Sequence, residues 1–231
     1  MRLTLVRNAT LLLETSRGRV LVDPMLRAAG TTPPIEDTPN PRRNPLVELP
    51  LPAADVVRGV GVCIVTHLHG DHFDDAAAEL LPRDLPLLTQ PESVEGLLGR
   101  GFTNVETEDA DWPLTRGRHG TGDVGAALGA VSGRVVDGVY LAGDTIWCDE
   151  VAEALERHRP RAVVVNGGGA RFNEGGPIVM DAADVRRLRA ATDAVVVVVH
   201  LEAMNHCVEP REAYRAIDGV LVPDDGETLD L

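Results

Sequence analysis

The 231-residue chain contains no lysine: all 22 basic residues are arginine. Chemistry that runs through a lysine Schiff base, or through a phosphate loop closed by lysine, is thereby excluded. Positive charge is scarce altogether. The 22 arginines face 36 Asp and Glu, and 22 − 36 = −14 at neutral pH. A field of that sign repels polyanions. The densest basic groups (Arg157, Arg159, Arg161 and Arg186, Arg187, Arg189) hold only three arginines each. Nucleic-acid binding is therefore not expected. No apolar run reaches the roughly 18 residues of a membrane span, and the run Ala194–Val199 is only strand-sized. Cys63, Cys148 and Cys207 are the only cysteines and have no paired spacing. That argues against a disulfide framework and for a reducing, cytoplasmic setting. The opening MRLTLVRNATLLLE carries Arg7 inside its apolar stretch and reads as a first strand, not a signal peptide. The three serines, Ser16, Ser93 and Ser132, lie apart from the motif described below, so no serine nucleophile is suggested.

What is present begins with short apolar runs at 2–7, 10–14 and 19–23, the last two joined by a hairpin turn, Thr15–Gly18. Residues 27–58 break the pattern. Seven prolines fall there with little periodicity and no helix or strand signal. A connection so long and irregular is expected to be a functional loop, a lid or wall of the site. From Gly61 onward, strands and helices alternate. Strands are expected at 61–65, 85–88, 103–107, 139–142, 162–165 and 194–199, with only short β segments between 107 and 138. Helices are expected at 74–81 (capped by Asp74), 92–98, 150–158, 182–190 and 210–217. A single domain over 1–231 is expected, with two halves that suggest two sheets and helices outside them.

The strongest signal is Thr66-His67-Leu68-His69-Gly70-Asp71-His72, directly after an apolar strand. Three imidazoles and a carboxylate in six residues are the donor set of zinc and its neighbours. His67 and His69 can face one point, Asp71 and His72 a second, which suggests two metals roughly 3.5–4 Å apart. Four ligands are too few for two metals. Further candidates are His119 in Arg118-His119-Gly120, Asp144 in Ala-Gly-Asp-Thr after a strand, and His200 ending a run of five valines. Each also has a plain reading: Asp144 as a helix cap, His119 as a surface loop residue, His200 as a core histidine. His206 is expected to reach the site only from behind the ligands, or to lie on the surface, and His158 sits among charges on a solvated face.

The pattern His-x-His-x-Asp-His, then a lone His, then Gly-Asp-Thr, then a strand-end His resembles the metallo-β-lactamase superfamily along nearly the whole chain. The opening RNATLLLE, the segment LVDP and the segment VVHLEAMNHC are similar to its compact branch, which includes ascorbate-6-phosphate lactonase. The resemblance implies an α/β (α+β) fold, a four-layer αββα sandwich with a dinuclear site at one edge. It implies His67, His69 and His119 around one metal, Asp71, His72 and His200 around the other, and Asp144 bridging. Asn8 stands where some members carry a histidine and is a candidate hydrogen-bond donor to substrate, or inert. Asp23 is either a strand-end turn or the support of a ligand histidine. Arg171, Arg42 and Arg43 are candidate anchors for an anionic group, and the glycine-rich loop 166–177 can bring backbone N–H groups near a ligand.

The expected activity is metal-dependent hydrolysis of a small ester, lactone, amide or phosphodiester, with Asp71 and Asp144 as the catalytic carboxylates. Two divalent ions are expected, zinc first, with manganese, nickel or iron as alternatives. Asn8, Arg171 and His206 are the candidate substrate contacts. The expected partner is a small molecule, anionic or carbonyl-bearing. No membrane partner is expected, and homo-oligomerisation is left open. Two other readings compete: a non-hydrolytic iron enzyme for redox or isomerisation chemistry, and a binding protein with a relic site. His200 is ranked above His206 as the last ligand because a rigid strand aims it.

Overall fold

The computed structural model describes all of residues 1–231. The first half lays down β1 (Arg2–Arg7), β2 (Thr10–Thr15), β3 (Gly18–Val22), β4 (Val60–Val65), β5 (Leu87–Thr89) and β6 (Val105–Glu106). Between them lie the helices α1 (Ala53–Val56), α2 (Asp75–Leu80) and α3 (Val94–Gly99). The second half supplies β7 (Leu114–Arg116), α4 (Gly122–Leu128), β8 (Ser132–Val136), β9 (Val139–Leu141), α5 (Asp149–His158), β10 (Ala162–Asn166), α6 (Ala182–Ala191), β11 (Val195–Val199), α7 (Arg211–Arg215), β12 (Val220–Leu221) and β13 (Thr228–Asp230). They form two mixed sheets, β13-β1-β2-β3-β4-β5-β6 and β12-β11-β10-β9-β8-β7.

Burial sorts these elements into four layers. Leu3, Leu5, Leu13, Val20 and Ile64 of the first sheet pack against Val139, Leu141, Val164, Val197 and Val199 of the second. The opposite face of the first sheet is covered by α2 and α3 through Ala77, Ala78 and Leu97, with Phe73 and Phe102 beside them. The opposite face of the second is covered by α5, α6 and α7 through Val151, Leu155, Val185, Leu188 and Tyr214. This is the αββα sandwich that the motif order implied. The valine runs at β10 and β11 are buried on both faces, which is why they carry no polar alternation.

Two local expectations are corrected. Residues 122–128, expected as β, form helix α4. Its sequence GDVGAAL has glycines at two of seven positions, so no apolar periodicity marks it. The 27–58 segment is not wholly irregular: it contains α1 and a bridge between Thr32 and Asn44. The Asp74 cap is present, with its carboxylate accepting from Ala77 N–H at 2.9 Å.

Candidate metal centre

Parallel strands run β3-β4-β5 in one sheet and β9-β10-β11-β12 in the other, so their carboxyl ends gather at one edge of the sandwich. β4 runs out into Thr66 and the histidine cluster, β9 leads through Gly143 to Asp144, β10 ends at Asn166, and β11 leads to His200. Gly143 has φ +69°, and a Cβ there would come within 2.7 Å of the Ser132 carbonyl. Only glycine makes this turn without displacing β8. Asn8, Asp23 and His200 also hold left-handed backbone, at φ 58°, 44° and 63°. Left-handed conformations cost energy for side-chain-bearing residues and gather at functional sites. Here three of them ring one edge.

The seven ligand-type residues come together. His67, His69 and His119 offer ring nitrogens within 4.8 Å of one another; in His67, His72 and Asp144, and in Asp71, His72 and His200, ring nitrogens and a carboxylate oxygen lie equally close. Asp144 Oδ2 lies between, 3.2 Å from His72 Nε2, 3.7 Å from His119 Nε2 and 3.9 Å from His67 Nε2. On the far side, His200 Nε2 is 3.3 Å from Asp71 Oδ2. His72 Nε2 is buried and makes no hydrogen bond despite that 3.2 Å approach to Asp144. A buried ring nitrogen left unpartnered beside a carboxylate oxygen fits a shared cation.

Hydrogen-bond logic fixes which nitrogen each ring presents. The Thr66 hydroxyl gives its only proton to Asp23 Oδ2 at 2.7 Å, so it accepts from His67 Nδ1 at 3.0 Å. The same Asp23 oxygen accepts from His72 Nδ1 at 2.9 Å, and Asp23 Oδ1 accepts from Thr66 N–H at 2.7 Å. His119 Nδ1 donates to the Ile178 carbonyl at 2.7 Å. The Cys207 thiol donates to the His200 carbonyl, leaving its sulfur to accept from His200 Nδ1 at 3.5 Å. Four rings therefore keep the proton-bearing Nδ1 outward and turn Nε2 inward, the nitrogen that is bare whenever the ring is neutral. His69 turns Nδ1, which lies 3.0 Å from His67 Nε2. Such outer partners orient metal-binding imidazoles.

Electrostatics agree. Burial, aided by neighbouring rings, holds the His67 imidazole well below its usual range, so it is neutral and has a lone pair to give. Burial lowers His69 in the same way. Burial also opposes charge on His72 and His200, but Asp144 and the acceptors around each ring outweigh it and raise both well above the usual range. Burial alone would protonate Asp71 and Asp144; the surrounding imidazoles instead hold both well below the usual carboxylate range. Two buried, ionised carboxylates need positive charge beside them; protonated His72 and His200 provide it in the metal-free chain, and divalent ions on these nitrogens would take over that role. The residues fit the group.

The centre forms the floor of a cavity of about 440 Å³. Its walls are largely apolar: Met25 and Met204, Pro33, Ile35 and Pro45 from the 27–58 segment, Leu128 of α4, and Phe172 and Ile178. His206 also lines it, with Nε2 at 3.8 Å from Asp71 Oδ2 and an Nδ1 that has no partner. Burial pulls this imidazole down to about 4. His206 belongs to none of the three converging groups.

Other sequence candidates land elsewhere. Asn8 is buried outside the cavity lining; its Nδ2 donates to the Asp71 carbonyl at 3.1 Å and its carbonyl accepts from His200 N–H at 2.8 Å. It braces two ligand loops. Arg171 is likewise outside the lining, because its Nε is drawn back to the Gly169 carbonyl at 3.1 Å. Arg43 donates to the carbonyls of Gly30 and Thr31, and neither it nor Arg42 lines the cavity. The arginines that do line it are Arg27 and Arg100, at its rim beside Asp75. Sequence reading also missed Asn166, whose Nδ2 donates to Asp144 Oδ1 at 2.6 Å. Its place at the end of a buried strand, as for His200, was the signal that could have found it.

No family model matches the chain. It is 35% identical to YddR, a UPF0173 protein of Bacillus subtilis, over 99% of both chains. It is 27% identical to the UPF0173 metal-dependent hydrolase MJ1163 of Methanocaldococcus jannaschii, over 81% of this chain and 90% of that one. Among solved structures it superposes on an isothiocyanate hydrolase from Delia radicum gut bacteria with TM-score 0.92 and 33% identity, covering 100% of this chain and 99% of that one. It superposes on a possible metal-dependent hydrolase from Veillonella parvula with TM-score 0.93, 33% identity and the same coverage. The metallo-β-lactamase fold protein YhfI from Bacillus subtilis, at 13% identity and TM-score 0.61 over 99% of this chain, shares the fold. The sandwich, the converging histidines and these relatives agree, and the chain belongs to the UPF0173 metal-dependent hydrolase family, built on the metallo-β-lactamase fold.

Proposed function

We propose that the chain hydrolyses a small molecule that has an electrophilic carbon or phosphorus and an apolar body, using two divalent metals. The observation that carries this reading is the juxtaposition of three converging ligand groups with an apolar cavity directly above them. His67, His69 and His119 would hold one metal, Asp71, His72 and His200 the other, with Asp144 shared between them. Bound there, divalent ions would bring a coordinated water to a pKa of about 7 and polarise the oxygen, nitrogen or sulfur of the target group. Asn166 holds Asp144 Oδ1, which leaves Oδ2 to face the histidines. The apolar walls orient the body of the substrate and exclude bulk water. The His206 ring, which lines the cavity, would hydrogen-bond the bound substrate. Zinc suits the imidazole-rich donor set, with manganese, nickel or iron as alternatives.

The cavity narrows the substrate class. Its walls favour an alkyl or aryl group, and Arg27 and Arg100 at the rim allow an anionic terminus. Isothiocyanates, the substrates named for one relative at 33% identity, combine an electrophilic carbon with such a body. They stand beside lactones and esters as first candidates. Nucleic acid is not proposed: a −14 chain lacks the surface that many phosphate contacts require. The test is turnover of alkyl and aryl isothiocyanates, lactones, esters, phosphodiesters and RNA by the metal-loaded chain, with bound metal counted by elemental analysis. Turnover of an apolar member with about two metals per chain is the expected result. Salt-sensitive RNA cleavage, or full metal occupancy without turnover of any small electrophile, would overturn the reading.

A further inference from the structure

Every cavity residue from the 27–58 segment beyond Arg27 lies between Thr32 and Pro45. Asn173 ties down Asp37 at its outer turn, but one buried side chain makes most of the contacts that hold that stretch. Asn205 is fully buried, at 0% exposure. Its Oδ1 accepts from Ile35 N–H at 3.0 Å and from Asn44 Nδ2 at 2.7 Å. Its Nδ2 faces three acceptors: the Ile35 carbonyl at 3.0 Å, Thr38 Oγ1 at 2.6 Å and the Asn40 carbonyl at 2.7 Å. Its backbone N–H donates to Asn44 Oδ1 at 2.9 Å. The amide orientation is forced, because Ile35 N–H can only donate and the two carbonyls can only accept.

The neighbours of Asn205 in sequence belong to the site. Met204 and His206 both line the cavity, so wall and floor meet at a single residue. The roots of the wall are fixed separately. Buried Arg7 donates through Nη2 to the carbonyls of Met25 and Arg27, each at 2.8 Å, and through Nη1 to that of Val47 at 2.9 Å. The buried network around Asn205, whose side-chain oxygen and nitrogen are both partnered, admits one arrangement and is costly to leave half-made.

We propose that Asn205 is a specificity-determining positioning residue: it fixes the 32–45 wall against the loop that carries His206, and so sets which apolar groups the metal centre accepts. The proposal rests on the reading of the cavity as the substrate site. It makes the proline-rich segment a fixed wall and not a lid that opens at each turnover. Proline lowers the entropy of the unbound segment, and Asn205 supplies the register in which Ile35, Asn44 and Pro45 face the cavity.

The test uses the metal-loaded full chain and a bulky and a minimal member of whichever substrate series it turns over, such as a phenethyl and a methyl derivative. Asn205→Asp sets an oxygen against three acceptors without changing side-chain size. It should lower the bulky-to-minimal ratio of kcat/KM about tenfold, chiefly through KM, the scale on which pocket contacts discriminate. Bound metal should stay at the wild-type count, and amide hydrogen exchange should quicken across 32–44. Thr38→Val removes only the outermost partner, outside the cavity lining, and should move the ratio in the same direction by a smaller factor. Metal loss in Asn205→Asp, or an equal fall for both substrates, would overturn the proposal by making Asn205 a support of the centre. Should Asn205→Asp fail to fold, Thr38→Val decides, and an unmoved ratio there overturns the proposal. A wild-type chain that does not distinguish bulky from minimal substrates would overturn the cavity reading itself, whereas variants that change nothing in a discriminating wild type overturn this proposal alone.

Discussion

At the scale of single residues, the centre depends on side chains that touch no substrate. Asp23 reaches one ring in each half of the site: His72 directly, and His67 through the Thr66 hydroxyl. Asp23→Asn would place an NH₂ group where two donors arrive. His72 would then have to move its proton to Nε2, the atom that faces Asp144, and lose its lone pair there. Affinity for metal should fall about 10–100-fold, the range for such outer partners, with the fold kept because the substitution is isosteric. Thr66→Val, which breaks only the relay to His67, should cost less. Chelator-competition titration checks both, and an unchanged affinity in Asp23→Asn would show that Asp23 is only a turn residue. The cluster of ligand-type residues was legible because four of the seven fall within six residues and the rest follow strands closely. Asp23 was read with two meanings, since Asp-Pro marks a turn as readily as a support. Asn205 and Asn166 were not singled out, because a buried amide gives no pattern in sequence; its value lies in partners as far as 170 residues away.

At the scale of elements, the long valine strands and capped helices were legible because burial and capping repeat at fixed spacing. α4 was not. Gly122 and Gly125 weaken it, none of its residues is buried, and no side chain caps its N-terminus. It owes its shape to its seat beside the cavity, where Leu128 contributes to the lining and Val124 lies 3.5 Å from where a Cβ on Gly175 would stand. An element with so little burial opens at low free energy. Of the two walls, the clamped proline-rich segment should be the rigid one and α4 the mobile one. Native-state hydrogen exchange should show α4 amides exchanging at least about 100-fold faster than those of α5 or α6, since helices packed on the core open only near the global limit. Equal protection of the three helices would refute the assignment. Leu128→Ala should then alter KM for bulky substrates without changing the melting temperature by more than about 2 °C, as for a surface change.

At the scale of the whole molecule, fold and centre are separable. Three hydrophobic clusters of 18, 16 and 15 buried residues fill the layers. None contains a candidate ligand. The centre sits at the edge where parallel strands end, and its charges are balanced locally, not by the core. Metals that bind only the native chain add stability by mass action, about 2.7 kcal/mol each at a free concentration near 100 times Kd. For a chain of this size that corresponds to a rise of roughly 5–10 °C in Tm per metal, and roughly 10–20 °C for two. Chelation should therefore lower Tm by that order while leaving the far-ultraviolet circular dichroism spectrum intact. Returning zinc should restore both Tm and turnover. The sequence already points this way, because its apolar periodicity marks the layers without reference to the histidines. Collapse of the spectrum on chelation at 25 °C would mean that the ions carry the fold, as they do in very small metal-stapled domains. An unmoved Tm would mean that the native state binds no metal at this edge.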